Sequence, residues 1–327
     1  MTTRRDFVRA AAAGSALAAS PLVRAQGAWP ARPVRVINPF PAGGGTDVFL
    51  RPLATRLSQA TGQQFIVENL GGAGGTVGAA AAAKAQPDGY TQFCGAVHHT
   101  IAESLYTRLP YNIERDFIPI TVIAYVPNVV VIHPKYSEIN TLADFLAYVR
   151  KNPGKLNFGA AGNGTSHHLT VELFKQMTGT FMTHIPYRGA GPMMQDLLAG
   201  AVDFAFDGMG TSAAQIKAGK LKALAVTSAK RVPAFPNIPT MDESGIKGYQ
   251  ATTWYALWAV KGAPADSVSR TQQEVAKAMQ EPATRDFWFA QGAEPGGNSS
   301  ADFGKFVHAE IEKWGKVVKA SGAKIDL

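Results

Sequence analysis

Short β-prone runs alternate with helical patterns along the first part of the chain. The predicted strands are 34–37, 64–68 and 90–94. A helix is expected to begin at Thr46, which is a good N-cap, and to end at Gly62, because apolar residues from Phe49 to Leu57 recur at helical spacing. This alternation predicts a parallel sheet with crossover helices.

A second set of the same kind begins after residue 140. Thr141 and Asp144 form a capping-box-like pair at the start of a predicted helix. Further strands are predicted at 155–158, 183–187 and 202–206, and each leads into a loop of small residues. Because the carboxyl ends of parallel strands share one edge of a sheet, these loops are expected to gather at a ligand-binding edge.

Two long β-prone runs look like crossings between two domains. They are 118–132, which Pro127 is expected to break, and 252–260. The chain after Pro264 is mostly helical and ends in an amphipathic helix over 303–318. We therefore predict an α/β fold of two lobes, each a mainly parallel sheet flanked by helices. Lobe 1 is expected to comprise 29–124 plus 253–327, and lobe 2 to comprise 125–252, with a ligand cleft between them.

Residues 1–25 have the pattern of an export signal. The pair Arg4-Arg5 is followed by Phe7, a basic residue and a weakly apolar, Ala-rich stretch, which is typical of a twin-arginine signal peptide. Cleavage is expected after Ala25, so that the mature chain is periplasmic. The alternative, a basic tail on a cytoplasmic protein, leaves the small-residue pattern Val23-Arg24-Ala25 unexplained.

The composition agrees with two compact domains. The chain has 327 residues, of which 46% are apolar and 17% are charged, and this length exceeds that of a single hydrophobic core. Loss of residues 1–25, with four arginines and one aspartate, lowers the formal charge from +8 to +5. No Lys/Arg-rich block remains, so a nucleic-acid partner is not expected. A lone Cys94 excludes an intramolecular disulfide, and no stretch approaches the roughly 18 to 20 apolar residues of a membrane helix.

Glycine-rich loops run into predicted helices at three places, 43–47, 71–76 and 162–166. Such loops present unpaired backbone N–H groups and the positive end of a helix dipole, so they bind anions without a charged side chain. Glycine also serves tight turns for geometric reasons alone, but the repetition favours a shared anion site. Asp47 either contributes to this anion site or only stabilises the first turn of its helix. Asp207 either accepts a hydrogen bond from a ligand hydroxyl or amine, or caps a helix.

The predicted ligand-binding residues share a position in a loop after a strand or at the start of the following helix. They are Phe40, Ala42, Gly43, Thr46, Asp47, Gly74, Gly75, Thr76, Val97, His98, Gly164, Thr165, Ser166, His168, Arg188 and Asp207.

Other kinds of site have less support. Gly72-x-Gly74 follows a strand, but the third glycine of a dinucleotide fingerprint would fall on Val77, and no Walker lysine follows any loop. The pairs His98-His99 and His167-His168 lack the spacing of a zinc-hydrolase helix, and no nucleophile elbow is present. We therefore predict a binding protein with no catalytic residue, no cofactor and no metal ion.

A series of short motifs extends over nearly the whole chain after residue 25. They are Pro39 to Asp47, Gly72 to Thr76, Pro87 to Tyr90, Gly164 to Leu169, Pro186 to Gly189, Asp196 to Gly200, Val202-Asp203, Gly219 to Leu221 and Pro239-Thr240. This series resembles the Bug-type extracytoplasmic solute receptors of tripartite tricarboxylate transporters. The resemblance implies a Venus-flytrap architecture of the periplasmic-binding-protein type, which captures a carboxylate and delivers it to membrane permease subunits.

The resemblance also implies a ligand class. Ligands of the family are typically di- or tricarboxylates, acidic amino acids, or aromatic acids. One carboxylate is expected to meet backbone and hydroxyl groups, partly through ordered waters, around Gly43, Thr46, Gly75, Thr165 and Ser166. The third loop departs from the small polar residues common in the family, because Val97-His98-His99 is bulkier.

Two alternatives stay open at this point. A periplasmic enzyme acting on a carboxylic acid would need a nucleophile–base or metal constellation, which the sequence lacks. A receptor that presents its ligand to a sensor kinase has the same sequence features as one that serves a transporter. In either case a monomer is expected.

Overall fold

The computed structural model describes residues 29–321, 324 and 325. The predicted signal peptide, with its twin-arginine pair and cleavage site, lies outside these residues. Within the described range, no helix combines the length and the apolar character that a membrane crossing requires.

Strands and helices alternate through most of the described chain. The strands are β1 (Val34–Asn38), β2 (Phe65–Asn69), β3 (Thr91–Ala96), β4 (Phe117–Ile132), β5 (Asn157–Ala160), β6 (Thr183–Pro186), β7 (Phe204–Gly208), β8 (Lys222–Val226), β9 (Thr252–Val260) and β10 (Glu294–Pro295). The helices are α1 (Gly45–Thr61), α2 (Thr76–Ala83), α3 (Val97–Leu105), α4 (Leu142–Lys151), α5 (Ser166–Thr178), α6 (Ala190–Leu198), α7 (Met209–Lys217), α8 (Ala265–Ala278), α9 (Pro282–Ala290) and α10 (Ser300–Ser321), and a 3₁₀ turn spans Ala73–Gly75. The predicted α/β fold class is confirmed.

The strands form two regions that meet at β4. On one side the order is β2-β1-β3-β9-β4, in which β1 pairs in parallel with β2 and β3, and β9 runs antiparallel to β3 and β4. On the other side β4 pairs with β7 and β8 in antiparallel fashion, and β5 pairs in parallel with β6 and β7. The parallel strands of both regions therefore come from β-loop-α units, as the alternation predicts.

The prediction that Pro127 breaks the long run is wrong. β4 continues through it for 16 residues, pairing with β9 up to Pro127 and with β7 and β8 from Asn128 onward. Proline donates no ladder hydrogen bond, and it is tolerated here because the strand changes partners at this point. A single strand thus connects the two regions, while the lobe boundaries given above stay a prediction.

Each region has an aromatic core. In the first, Trp258 packs on Phe303 of α10 with ring centroids 4.8 Å apart, and the indole of Trp254 donates a hydrogen bond to the buried Glu310 carboxylate at 3.0 Å. In the second, Phe145 contacts Phe204 with centroids 4.9 Å apart. Because α10 also packs against α3 and β4, the C-terminal helix completes the region that contains β1.

The prediction that Thr46 is the N-cap of α1 is wrong: Gly44 is the N-cap, and Thr46 lies inside the helix, where its hydroxyl donates to the Asn38 side chain at 2.8 Å. Other helix boundaries follow the local sequence rules. α1 ends at Gly62, whose φ of 72° is left-handed and whose N–H donates to the Ser58 carbonyl. The capping box of α4 is present: the Thr141 hydroxyl accepts from the Asp144 N–H at 3.1 Å, and the Asp144 carboxylate accepts from the Thr141 N–H at 2.9 Å. β1, β2 and β3 run in the direction of β4, whereas β5, β6 and β7 run opposite to it, so the loops after these strands face each other across the edge where the two regions meet.

Candidate functional site

Loops from the two regions meet face to face at this edge. A Cβ on Gly162 would lie 3.4 Å from the Gly74 Cα, and a Cβ on Gly191 would lie 2.9 Å from the Ala42 carbonyl oxygen. Backbone approaches this close are possible only where side chains are absent. The structure therefore has the two regions closed on each other around a cleft.

The wider part of this cleft, here called the outer cleft, has a volume of about 280 Å³. Its walls include Phe40, Gly72 to Gly75, Gly162, Asn163, Tyr187 and Arg188. The Arg188 side chain is exposed and makes no hydrogen bond or ion pair with the described residues. The outer cleft therefore offers backbone from one side and a free guanidinium from the other.

A narrower space, here called the inner pocket, continues beyond Phe40 and Ala161, which line both compartments. It holds about 10 Å³ and is enclosed by Phe40, Gly44, Gly45, Thr46, His98, Ala161, His167, Ala190 and Tyr255. The first residues of α1, α3, α5 and α6 lie at or beside this wall. Because the positive dipole ends of these helices converge there, the inner pocket favours a negatively charged group.

Asp47 organises the loop after β1. Its carboxylate accepts hydrogen bonds from the Gly43 N–H at 3.1 Å and the Arg51 guanidinium at 2.7 Å, and also from the Asn38 and Asn69 amides. Burial raises the pKa of Asp47, but the hydrogen bonds from Arg51 and Gly43 outweigh it and leave the pKa below its ordinary value. Asp47 therefore acts as an ionised brace that fixes the shape of the anion-binding loop.

His98 spans the cleft. Its Nδ1 accepts a hydrogen bond from the backbone N–H of Ser166 at 3.1 Å, so that α3 is joined to α5. Burial, together with the neighbouring histidines His167 and His99, lowers the pKa of His98 well below the ordinary value. The ring is therefore neutral, and because Nδ1 is an acceptor, its proton sits on Nε2 as a hydrogen-bond donor.

His167 lines the inner pocket, and Asp207 lies directly behind it. The distance from His167 Nδ1 to Asp207 Oδ1 is 3.7 Å, and both atoms are buried with no hydrogen-bond partner among the described residues. The other carboxylate oxygen of Asp207 accepts from the hydroxyls of Thr211 and Ser212 at the start of α7. Burial lowers the pKa of His167, and the nearby Asp207 charge opposes that shift only in part.

His168, which is one of the predicted ligand-binding residues, lies on another face of α5. Its ring stacks on His184 with centroids 4.0 Å apart, and its Nδ1 accepts from the Gly164 N–H at 3.1 Å. Burial lowers the pKa of both rings, that of His184 to about 3. His168 therefore supports the glycine loop from outside the cleft.

The other predicted site residues fall into two groups. Phe40, Gly74, Gly75 and Arg188 line the outer cleft, and Phe40, Thr46 and His98 line the inner pocket. The remaining ones belong to the same loops or helix starts without lining either space: Ala42, Gly43, Asp47, Thr76, Val97, Gly164, Thr165, Ser166, His168 and Asp207. Val97 is fully buried in the core, and the Thr165 hydroxyl donates to the Gly162 carbonyl at 2.8 Å.

Several residues that line the two spaces are not among those predicted from the sequence. They are Tyr106, Asn163, Tyr187, Tyr255 and His167. Tyr255 comes from β9, far along the chain from the glycine loops, and no local pattern connects it to them. For Asn163 and Tyr187, a position in or beside a glycine loop was the available signal. Within the described residues, no group of three or more His, Cys, Asp or Glu side chains is arranged to hold a metal ion.

The two-lobed fold with a cleft between the lobes defines this chain as a solute-binding protein of the periplasmic-binding-protein class. Residues 49–323 match the family described as tripartite tricarboxylate transporter family receptor, and the chain belongs to that family. The protein BugT of Bordetella pertussis is 36% identical over 299 residues, which cover 91% of each chain. The resemblance to Bug-type receptors is thereby confirmed.

Solved structures agree with this assignment. The R. palustris protein Rpa4515, determined with adipate, is 37% identical and superposes with a TM-score of 0.88, covering 91% of this chain and 100% of that one. MatC from Rhodopseudomonas palustris, determined with bound malate, is 30% identical with a TM-score of 0.83, covering 89% of this chain and 100% of that one. The match extends over both lobes in each case.

Proposed function

We propose that this chain is a periplasmic receptor that captures a small dicarboxylate and delivers it to the membrane subunits of a tripartite transporter. The inner pocket carries the proposal, because the starts of four helices and a neutral His98 donor surround it. Such donors stabilise a carboxylate without a paired cation. The adipate and malate of the two related structures support a ligand with two carboxylates.

One carboxylate would occupy the inner pocket and the other the outer cleft. The second carboxylate would then meet the backbone of the loop from Gly72 to Gly75, with the Arg188 guanidinium nearby. An inner pocket of about 10 Å³ has room for about one water molecule. A carboxylate is larger than one water molecule, so the inner pocket must widen to hold it; the ligand would enter while the lobes are apart, and the lobes would close around it afterwards.

The proposal includes the export route, the oligomeric state and the mode of action of the receptor. Export would use the twin-arginine pair Arg4-Arg5, and the mature receptor would act as a monomer that binds its ligand without converting it. Membership in a receptor family supports binding rather than catalysis. Delivery to a sensor kinase instead of a transporter would use the same cleft.

Isothermal titration calorimetry on the purified mature chain tests the ligand class. The acids would be succinate, malate, adipate, citrate, glutamate and nicotinate, each at the same pH and ionic strength. Adipamide is the matched control, since it has the length of adipate without its charge. We expect at least one of the dicarboxylates succinate, malate, adipate and glutamate to bind with micromolar affinity, near −8 kcal/mol, and adipamide not to bind. Binding of adipamide, or no binding by any of these four dicarboxylates, would contradict the proposal.

A further inference from the structure

His167 and Asp207 face each other in the buried wall of the inner pocket without a hydrogen bond between them. Nδ1 and Oδ1 face each other at 3.7 Å, which is too long for a hydrogen bond. Within the part of the chain that the structure describes, both atoms are buried and without a hydrogen-bond partner, and His167 and Asp207 are 3% and 0% exposed. Buried polar atoms are normally hydrogen-bonded, so an unpartnered pair of this kind points to a second state in which the bond is made.

The groups that face His167 are few. Asp207 approaches from the end of β7, and it is the charged group that acts on the ring. The neutral His98 ring from α3 lies with its centroid 6.3 Å away, and Tyr255 from β9 shares the pocket wall. On the same helix, Glu172 faces His168 and Lys175. A new negative charge in the inner pocket would therefore act on His167 with little opposition.

We propose that His167 takes up one proton from the solvent when a carboxylate enters the inner pocket. The imidazolium would then lie between two carboxylates, donating from Nδ1 to Asp207 Oδ1 and from Nε2 to the ligand. The inference rests on the proposed function, since it requires a carboxylate as the inner end of the ligand. No covalent bond forms or breaks, and the proton returns to the solvent when the ligand leaves.

The added proton reduces the electrostatic repulsion between a bound carboxylate and the buried Asp207 carboxylate. Without it, the ligand carboxylate would stand near the buried Asp207 carboxylate with only neutral groups between them, and like charges in a buried site repel strongly. With it, one positive charge lies between two negative ones. The helix starts around the pocket stabilise the remaining negative charge. Proton uptake thus allows a receptor with a buried aspartate to accept an anion.

Proton uptake by His167 makes the ligand affinity depend on pH. In the free receptor, burial holds the pKa of His167 below its ordinary value, and the bound carboxylate raises that pKa. Between these two pKa values, binding takes up a proton, so the affinity increases as the pH falls and is lost as the pH rises through the bound-state value. The limit is a tenfold change in Kd per pH unit. The lower end of the window is set by protonation of the ligand itself.

Calorimetry in buffers of different ionisation enthalpy measures the number of protons taken up. Adipate and malate would be titrated into the mature chain in phosphate, imidazole and Tris at the same pH near 7. We expect between about half a proton and one proton to be taken up per ligand. His167→Gln and Asp207→Asn should each reduce this number to near zero, and His167→Gln should also flatten the pH dependence of Kd. His308→Gln is the matched control, because His308 is exposed on α10 and should leave the number unchanged.

The outcomes separate the two proposals. If adipate or malate binds with no proton uptake, or if uptake persists in His167→Gln, the role of His167 is wrong while the dicarboxylate receptor stands. If none of the dicarboxylates binds, both proposals fall together; if one other than adipate and malate binds, proton uptake is measured with that acid. Because His167 is buried, circular dichroism would verify the fold of each variant. The imidazole ¹⁵N shifts of the wild-type chain with and without ligand then give the charge of the ring directly, and an unchanged neutral shift on binding would overturn the inference.

Discussion

Single glycines decide how close the ligand comes to the backbone. Gly75 has a φ of 96°, and a Cβ there would lie 3.0 Å from Phe40 Cζ and 3.1 Å from His99 Nε2. A side chain at this position is therefore strained by the backbone conformation and crowded by two neighbours. The Gly75 N–H itself donates to the Gly72 carbonyl at 2.9 Å, so Gly75 fixes the shape of the turn that lines the outer cleft.

Gly75→Val is expected to abolish measurable binding of the cognate acid while the chain still folds. The strain of a left-handed non-glycine residue costs about 1–3 kcal/mol of stability, and the displaced Phe40 and loop would narrow the site. Gly62→Val is the control: Gly62 also has a positive φ, but a Cβ there meets nothing within 4 Å. Calorimetry and thermal unfolding of both variants test the point. Wild-type affinity in Gly75→Val would contradict it.

Arg188→Ala addresses the other wall of the outer cleft. The guanidinium is exposed, so its attraction to a carboxylate is weakened by water and salt and amounts to about 1 kcal/mol at most. We expect Kd to rise no more than about fivefold, and the effect to diminish at high salt. The measurement is a titration at two ionic strengths. Complete loss of binding in Arg188→Ala would mean that a side-chain cation, and not the backbone, holds the ligand.

At the scale of elements, the start of α1 and the loop before it behave as one unit. The Asp47 carboxylate joins them, since it accepts from Gly43, Asn38, Asn69 and Arg51. The loop after β1 is therefore pre-shaped before any ligand arrives. A pre-shaped site binds more tightly than one that must be ordered on binding.

Asp47→Ala is expected to lower the free energy of unfolding by about 1–3 kcal/mol, because it leaves buried donors unpaired, and to weaken ligand binding as well. Asp144→Ala provides the comparison. It removes the capping box of α4, away from the cleft, and should reduce stability without changing Kd. Denaturant unfolding and calorimetry on the two variants separate the effects. Equal Kd values for Asp47→Ala and the wild type would show that the loop keeps its shape without the carboxylate.

At the scale of the whole molecule, the closed arrangement must open to load a ligand. Glycine loops meet across the cleft, and His98 is hydrogen-bonded to the opposite Ser166 N–H. The strand β4 changes its partners at Pro127 and Asn128, and β9 begins beside it at Thr252. Rotation at these positions would separate the lobes without unpacking either aromatic core.

Small-angle scattering is expected to show a smaller radius of gyration when the cognate acid is bound. The ligand contacts loops of both lobes only in the closed form, so binding shifts the equilibrium toward it. A micromolar ligand releases about 8 kcal/mol at standard state, which is enough to shift an opening equilibrium of a few kcal/mol. Binding must be confirmed by calorimetry under the same conditions. An identical scattering profile at saturation would show that the receptor does not close by this motion.

The sequence by itself determined the alternation of strands and helices, the C-terminal end of α1, the start of α4, and the family. These features depend on neighbours along the chain: apolar spacing, N-caps, left-handed glycines and ordered motifs. The glycine loops after β1 and β2 were recognisable for the same reason. The path of β4 through Pro127 was not recognisable from the sequence, because only the change of strand partners makes a proline acceptable at that position.

Only the tertiary structure decided which side chains meet in the cleft. His167 and His168 are identical in type and adjacent in sequence, yet about 100° of helical rotation directs one to the inner pocket and the other to His184. Asp207 lies 40 residues from His167, and Tyr255 comes from a strand beyond both. Their contacts arise from the packing of β7 and β9 against β4, and long-range pairing of this kind leaves no local trace in a sequence. The side chains that meet in the inner pocket are therefore decided by the tertiary structure, whereas the glycine-rich loops can be recognised from the local sequence.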